Sequence, residues 1–389
     1  MAATRVPSDF GFGSDEEMLR DLARKFLDER LPVEKLRTLV ARDPEAVYER
    51  GEPTAWDEGV WREIVELGWT GLGVPEAAGG AALRTVGLVA LVEEAGRHAL
   101  PSPLLPTLDA THVLRASGGD VAVRWLGRIA EGLPATLAIT DAHGRWEPDA
   151  GDVEAVEQGG GLVLSGRACF VQDAAKARLL VTSARCGEQR VICAVPADTP
   201  GLRLERDHIH DLTRDQATAV FEGVRVEPGD VVTRQGVAAL RAAWPSILVT
   251  VSADLCGCAE WQLQTTVEYA KTRKQFDRPI GFFQAVKHPL VDAMVKIDRA
   301  RSLLYHAASA IDAGDEGALQ AARMAKSAAS DAGRYVSDRS VQLHGGIGFT
   351  WESDVHLFFK RSLHDQALYG DGVHQRRKIA ETLIGPIDG

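Results

Sequence analysis

Two short stretches of the 389-residue chain combine residue types that could bind a phosphate-bearing ligand. Arg273 carries a planar guanidinium, which can donate two parallel hydrogen bonds to a phosphate. Gly345 and Gly346 lack a Cβ, so a phosphate or ribose can approach their backbone closely, and amides near a helix end favour such an anion. Taken singly, Arg273 would more often form a surface or interhelix salt bridge, and paired glycines would usually end a helix.

The composition narrows the classes of ligand and partner. The formal net charge of −11 disfavours a nucleic-acid or anionic-membrane role, because both depend on clustered positive charge. Five cysteines without regular spacing do not suggest a disulfide framework, which favours a reducing cytoplasm. Cys256 and Cys258 are too close together and too isolated from histidines for zinc. We therefore interpret the cysteines as core thiols and predict no metal site.

The sequence also predicts a soluble protein. The stretch Met1–Phe10 (MAATRVPSDF) contains no apolar region of the kind found in signal peptides. The most apolar stretch, Ile247–Val251, is followed by Asp254 and falls far short of the roughly 20 residues that cross a bilayer.

Helical patterns dominate the first third of the chain. Ser14–Glu17 has the spacing of a capping box, in which serine and glutamate oxygens accept from free amides at a helix start. Residues 85–94 predict a helix that ends at Gly96, and three prolines between residues 101 and 106 indicate an irregular connection. Apolar residues recur at helical spacing in two places: Leu19, Leu22 and Phe26, then Val60, Ile64 and Leu67.

From about Leu133 the pattern changes to short apolar runs between turn signals, which predicts an antiparallel β domain. The runs cover residues 136–139, 162–164, 169–171, 179–182, 191–195 and 217–221. Long helices return after Pro228, and residues 318–343 are rich in alanine and helix-favouring charges. Four apolar residues of this part share a helical face: Leu290, Met294, Ile297 and Leu304.

These patterns predict an α+β fold in three parts. Residues 1–132 form an N-terminal helical domain, residues 133–230 a middle antiparallel β domain, and residues 231–389 a C-terminal helical bundle.

Three segments match one protein family residue by residue. They are Glu66–Gly80 (ELGWTGLGVPEAAGG), Tyr269–Ile280 (YAKTRKQFDRPI) and Gln342–Thr350 (QLHGGIGFT). Their order and spacing resemble those of the acyl-CoA dehydrogenases over nearly the whole chain. The resemblance implies that family's fold and an FAD-dependent enzyme that introduces an α,β double bond into a CoA thioester.

The resemblance also implies a set of FAD contacts. In the family these groups reach an FAD that is held mainly by a neighbouring subunit, so it implies an oligomer as well. The matching residues here are Arg273, Gln275, Phe276, Gln284, Gln342, His344, Gly345 and Gly346.

The catalytic base of the family is missing from its usual positions. In the segment Ala367–Arg376 (ALYGDGVHQR), Gly370 stands where the family has glutamate after tyrosine. A second known location aligns near Ile247, which has no carboxylate beside it. Asp371 is the nearest acid and is a candidate base, although it lies one residue too far along and could instead form a turn.

The β domain departs from the family pattern too. Thr140–Trp146 replaces the family's Thr-Glu-Pro…Gly-Ser-Asp stretch, which contacts the flavin and the thioester. An aromatic residue remains at Phe170, but Gln172 replaces the threonine that would bond the flavin edge. The contacts for the chain's own flavin ring are therefore eroded, whereas those for a neighbour's FAD are intact.

This asymmetry resembles the non-base-bearing subunit of bacterial heteromeric, steroid-type acyl-CoA dehydrogenases, and favours an α2β2 enzyme with a base-bearing partner. Segments 343–352 and 370–374 resemble that subgroup. By family analogy the electron acceptor is an electron-transfer flavoprotein. The alternatives are a self-sufficient homomer that uses Asp371 and a flavin-free scaffold that keeps only the fold.

Overall fold

The computed structural model describes residues 10–41 and 56–385, so nearly all of the stretch assessed for a signal peptide lies outside the described residues. Within these ranges, six α-helices precede the first strand: α1 (Ser14–Arg30), α2 (Val33–Val40), α3 (Glu58–Glu66), α4 (Thr85–Arg97), α5 (Leu104–Ser117) and α6 (Gly119–Ala130). They bury their apolar faces against one another and against the long helices that follow the sheet.

The start of α1 differs by one residue from the predicted capping box. Gly13, not Ser14, is the N-cap, and its amide donates to the carboxylate of Glu16 at 3.0 Å. The buried face differs as well, because Leu27 is fully buried whereas Leu22 is 59% exposed. Spacing predicted the helix correctly, but packing against α4 decided which face is buried.

Three further expectations change in the structure. Leu67 lies just beyond α3 and is exposed, and Met294 is exposed although its predicted neighbours on that helical face are buried or partly buried. Pro106 is not part of an irregular connection, since α5 already begins at Leu104. Proline is tolerated there because the first turn of a helix needs no amide donor.

The middle of the chain forms one sheet, with β1 (Ala135–Ala138), β2 (Asp152–Gln158), β3 (Gly161–Gln172), β4 (Leu179–Cys186), β5 (Gln189–Pro196), β6 (Leu202–Arg206), β7 (Gln216–Val226) and β8 (Val231–Thr233). The strand order is β6-β7-β3-β2-β4-β5-β8, and β1 pairs with β4. The sheet is not wholly antiparallel as predicted, because β1 and β2 both run parallel to β4.

Strand boundaries were predicted less well than the presence of the sheet. The runs 162–164 and 169–171 belong to the single strand β3, which has irregular pairing with β7 between them. The expectation missed β2, β6 and β8, since charged residues alternate with apolar ones in β2 (DVEAVEQ) and no continuous apolar run results.

The C-terminal part contains the long helices α7 (Gly236–Thr272), α8 (Gln284–Asp312), α9 (Ala318–His344), α10 (Val355–Ala367) and α11 (Gly372–Ile384). Between α7 and α8, the two short strands β9 (Lys274–Gln275) and β10 (Arg278–Pro279) form a hairpin. The predicted alanine-rich helix corresponds to α9.

Among the described residues, α7 alone is long and apolar enough to cross a membrane by length and composition. The expectation that no apolar segment reaches that length is wrong by this measure. However, 67% of the most apolar 18-residue window of α7 is buried inside the protein, and the core helix of a soluble protein passes the same test.

Helices α4 and α7 cross with almost no space between their backbones. A Cβ added at Gly257 would lie 1.8 Å from the carbonyl oxygen of Glu93, and one at Gly96 would lie 2.2 Å from that of Asp254. The flanking Cys256 and Cys258 are buried thiols, as is Cys193. The expectation of core thiols is wrong for the other two cysteines, which are only partly buried.

A buried ionic network joins the sheet to the helical bundle. Arg214, in the loop before β7, donates to Asp254 and to Asp365 at 3.0 Å each. Arg361 donates to both oxygens of Asp254 at 2.9 and 2.8 Å. Burial raises the pKa of Asp365 well above its ordinary value. The network fixes how the β domain sits on α7 and α10.

Candidate functional site

Three helix ends meet on one side of the C-terminal bundle. The hairpin that follows α7 leads directly into α8, and α9 returns to the same end. The rings of Tyr269 in α7 and His344 in α9 stack with centroids 4.4 Å apart and planes inclined by 22°. This contact joins residues that lie 75 positions apart in the sequence, so the two motifs predicted to bind phosphate occupy neighbouring positions.

Most of the sequence-predicted cofactor contacts lie on the surface at this end. Arg273 follows α7 directly, and Gln275 lies in β9. Phe276 occupies the hairpin turn with 86% of its surface exposed. Gln284, the first residue of α8, and Gln342, near the end of α9, are exposed as well.

The open surface around Arg273 fits a diphosphate that approaches from outside the chain. In the part of the chain that the structure describes, the Arg273 guanidinium has no hydrogen-bond or ion-pair partner, so the alternative of a structural salt bridge finds no support there. A Cβ at Gly345 or Gly346 would meet no atom within 4 Å. The unpaired guanidinium of Arg273 has the donor groups that a diphosphate requires, and the open glycine backbone leaves room for its approach.

His344 differs from the other predicted contacts, because its ring is buried. Its Nδ1 lies 2.8 Å from the carbonyl oxygen of Ser340, and one ring face is covered by Tyr269. Burial lowers the pKa of His344, which keeps the ring neutral. The structure thus places this side chain behind the surface that carries Arg273.

The residues of the β domain that the sequence assigned to the chain's own flavin ring contact one another and their neighbours. Asp141 accepts from the amides of His143 and Arg145 at 2.9 Å each, which closes the loop after β1 into a compact turn. Trp146, at the end of this turn, packs against Phe170 and Tyr369 with ring centroids 5.8 and 5.4 Å away.

Gln172 leaves no free group for a ligand in this region. Its amide nitrogen donates to the carbonyl of Phe170 at 3.0 Å and to Gln216 at 2.9 Å. Its oxygen lies 2.7 Å from Nε2 of His364. Burial lowers the pKa of His364 to about 4, so the neutral ring donates this hydrogen bond. The residue that replaces the expected threonine is therefore part of an internal network.

The turn that should carry the base has no room for a side chain at its key position. Gly370 has φ +88°, and a Cβ there would lie 2.3 Å from Cδ2 of His374. Asp371 is the N-cap of α11, and its Oδ1 accepts from the amide of His374 at 2.8 Å. The second family location, near Ile247, is a fully buried apolar position in α7.

Asp109 in α5 is a buried acid that sequence reasoning missed. Its Oδ2 accepts from the hydroxyl of Tyr369 at 2.7 Å, and its Oδ1 has no hydrogen-bond partner. Burial raises the pKa of Asp109 to about 7. The only signal in the sequence was an acid on an otherwise apolar helical segment. The adjoining cavity, lined also by Arg214 and Leu368, holds about 10 Å³, which is room for at most about one water molecule.

Comparison with known proteins decides the family. Two family models match: the N-terminal domain of acyl-CoA dehydrogenase over residues 13–132 and its C-terminal domain over residues 248–384. The acyl-CoA dehydrogenase IpdE2 of Mycobacterium tuberculosis is 31% identical over 354 residues, covering 90% of this chain and 91% of that protein. This chain belongs to the acyl-CoA dehydrogenase family. The family's enzymes are oxidoreductases that act on CH–CH donors, and the predicted fold is confirmed.

Solved acyl-CoA dehydrogenase structures agree with this fold over nearly the whole chain. A variant of the Tcur3481–Tcur3483 steroid ACAD superposes with a TM-score of 0.84 at 30% identity, covering 94% of this chain and 97% of that one. The ChsE4–ChsE5 complex from Mycobacterium tuberculosis superposes with a TM-score of 0.86 at 25% identity, covering 97% and 100%.

Proposed function

We propose that this chain is the non-base-bearing subunit of an FAD-dependent acyl-CoA dehydrogenase that assembles as α2β2 with a base-bearing partner. One contrast carries the proposal. The Arg273 guanidinium lies on an open surface and is unpaired among the described residues, whereas Gly370 stands where the family has its base and the cavity beside Tyr369 holds only about 10 Å³. The chain can thus contribute to a neighbour's flavin site but has no complete site of its own.

Exposed apolar side chains around the same surface support a partner subunit. Large patches of this kind usually mark an interface. Five large apolar residues between positions 276 and 295 are about half exposed or more: Phe276, Phe282, Val291, Met294 and Val295. An apolar groove of about 440 Å³ between α7 and α8 continues this patch.

The residues at this surface suit the diphosphate and adenosine parts of FAD. Arg273 would neutralise phosphate charge, and the open backbone at Gly345 and Gly346 would allow close approach. Gln284 and Gln342 can donate to and accept from the adenosine half. When bound, FAD supplies a hydride acceptor for the β carbon, and the partner subunit would supply the carboxylate that takes the α proton.

The relatives support a bulky substrate and a second, unlike subunit. One solved relative is a steroid ACAD, and another is a complex of ChsE4 with ChsE5. We therefore propose a steroid side-chain CoA thioester, or a thioester of similar bulk, as the substrate. An electron-transfer flavoprotein as acceptor and a cytoplasmic location complete the proposal.

Neither alternative explains the geometry as well. In a homomer, Asp371 would have to remove the α proton while its carboxylate caps α11. A flavin-free scaffold would have no use for an unpaired arginine beside an open glycine turn.

The decisive experiment compares the chain alone with the chain co-expressed with a candidate base-bearing acyl-CoA dehydrogenase subunit from the same genome. Bound flavin is measured by absorbance and turnover by dehydrogenation of acyl-CoA. We expect flavin and turnover only in the pair, and at least a tenfold lower FAD affinity after Arg273→Ala. The matched control is Arg225→Ala, which removes an exposed arginine from the sheet.

Asp371→Asn separates the two catalytic hypotheses. Asparagine is as good an N-cap as aspartate but cannot act as a base, so we expect unchanged turnover in the pair. A loss of a hundredfold or more, or full flavin loading and turnover by the chain alone, would contradict the heteromer.

A further inference from the structure

A buried polar seam runs between α7 and α9 up to the proposed FAD surface. Gln262 Nε2 donates to Ser337 Oγ at 3.1 Å, and one turn further on Thr266 Oγ1 lies 2.6 Å from Ser340 Oγ. These four side chains are at most 2% exposed. One more turn along, Tyr269 meets His344, so hydrogen-bonded or stacked pairs occur at three successive turns of the two parallel helices.

Tyr269 touches both halves of the surface at once. Its carbonyl oxygen accepts from the amide of Arg273 at 2.9 Å. Its hydroxyl donates to the carbonyl of His344 at 3.4 Å, next to Gly345. The buried His344 ring is fixed from the other side by Ser340.

Apolar contacts alone would define the axial register of α7 against α9 only weakly, because one turn of alanine-rich surface resembles the next. Hydrogen bonds in a buried seam require one register, since any sliding leaves buried polar groups without partners. A single buried polar residue is known to set helix register in this way. Register matters here because Arg273 and Gly345 end different helices and must meet one diphosphate together.

We propose that Tyr269 and His344, backed by the Thr266–Ser340 pair, are positioning residues. They fix the axial register of the C-terminal ends of α7 and α9, so that Arg273 and the Gly345–Gly346 turn face one diphosphate. This inference rests on the proposed function. It assigns to Tyr269 and His344 a role behind the cofactor surface rather than direct contact with FAD.

The test measures the Kd for FAD in the co-expressed pair, together with the melting temperature and the assembly state by gel filtration. We expect Tyr269→Leu to weaken FAD binding at least tenfold in pairs that still assemble. Tyr269→Phe keeps the stack and should remain within about threefold of wild type. Leu304→Ala, a buried apolar change in α8 that removes no group of the seam, serves as the control for lost stability.

A second variant covers the case in which Tyr269→Leu fails to fold. Thr266→Val with Ser340→Ala removes the hydrogen bond and leaves an apolar pair of similar size, and we expect a three- to tenfold weaker Kd. If the seam variants lower the melting temperature as Leu304→Ala does but leave the Kd unchanged, the seam is only structural and this inference is wrong. If Arg273→Ala also leaves the Kd unchanged, the proposed function itself fails.

Discussion

Gly370 follows Tyr369 in the chain, and Asp109 contacts the hydroxyl of Tyr369. Gly370 cannot gain a side chain without displacing His374, because a Cβ there would lie 2.3 Å from that ring. Asp109 fills the cleft from α5 with a carboxyl hydrogen-bonded to Tyr369. Position 370 thus carries no carboxylate, and the cavity beside Tyr369 holds only about 10 Å³.

Asp109 should make stability depend on pH. Burial raises its pKa to about 7 from an ordinary 3.8, so the folded state retains a proton that the unfolded state has released between these values. Its contribution to the free energy of unfolding therefore falls as pH rises from about 4 to 7, by at most about 1.4 kcal/mol per pH unit.

Asp109→Asn removes this titration and still accepts from Tyr369. We expect its melting temperature relative to wild type to be higher at pH 8 than at pH 5, measured by thermal unfolding. The exposed Asp198→Asn should give the same difference at both pH values. An equal difference for Asp109→Asn would show that Asp109 does not titrate in this range.

At the scale of elements, the crossing of α4 and α7 depends on a small residue in each helix. Gly257 and Gly96 lie against the backbone of the opposite helix. In the sequence Cys256-Gly257-Cys258, the glycine between the two thiols is the residue that allows the two helices to approach.

Gly257→Ala should destabilise the protein by about 1–3 kcal/mol or more, because overpacking forces the two backbones apart. Gly127→Ala in α6 is the matched control, since its added Cβ meets only one atom, at 3.5 Å. Alanine there should be neutral or stabilising by about 0.5–1 kcal/mol. Chemical denaturation measures both, and similar values for the two variants would contradict the packing argument.

At the scale of the whole molecule, the chain has a net charge of −11 and a helical bundle with an exposed apolar end. The open, unpaired groups lie at that end, whereas the interior between sheet and bundle is closed by the Arg214 and Arg361 network. This arrangement is the one expected from the proposed role, in which the chain completes a flavin site on a partner subunit.

FAD should therefore stabilise the pair and not the isolated chain. A ligand that binds the folded state stabilises it by about 2.7 kcal/mol at a hundredfold excess over Kd. We expect added FAD to raise the melting temperature of the pair, and to raise it less with Arg273→Ala. An equal increase for the isolated chain would indicate a complete flavin site within this chain.

Local features could be predicted from the sequence because they depend on neighbouring residues. Spacing and turn chemistry predicted the helix α9, its end at His344 and the presence of a sheet. The glycine at position 370 is read directly from the sequence. Resemblance added the family and the fold, which the comparisons confirm. The sequence predicted element boundaries less well. The N-cap of α1 lies one residue before the predicted one, and β2 was not predicted because charged residues interrupt its apolar ones.

Only the tertiary structure shows that Gln172 belongs to an internal hydrogen-bond network and that Arg273 is unpaired among the described residues. Which residues share a surface, and which space is filled, depends on contacts between distant segments. Tyr269 meets His344 across 75 positions and Asp109 meets Tyr369 across 260, and neither pairing leaves a mark in local sequence. The sequence by itself determined which groups could bind a phosphate. Only packing decided that they face outward together while the chain's own cleft is closed, because burial and register are properties of the assembled helices.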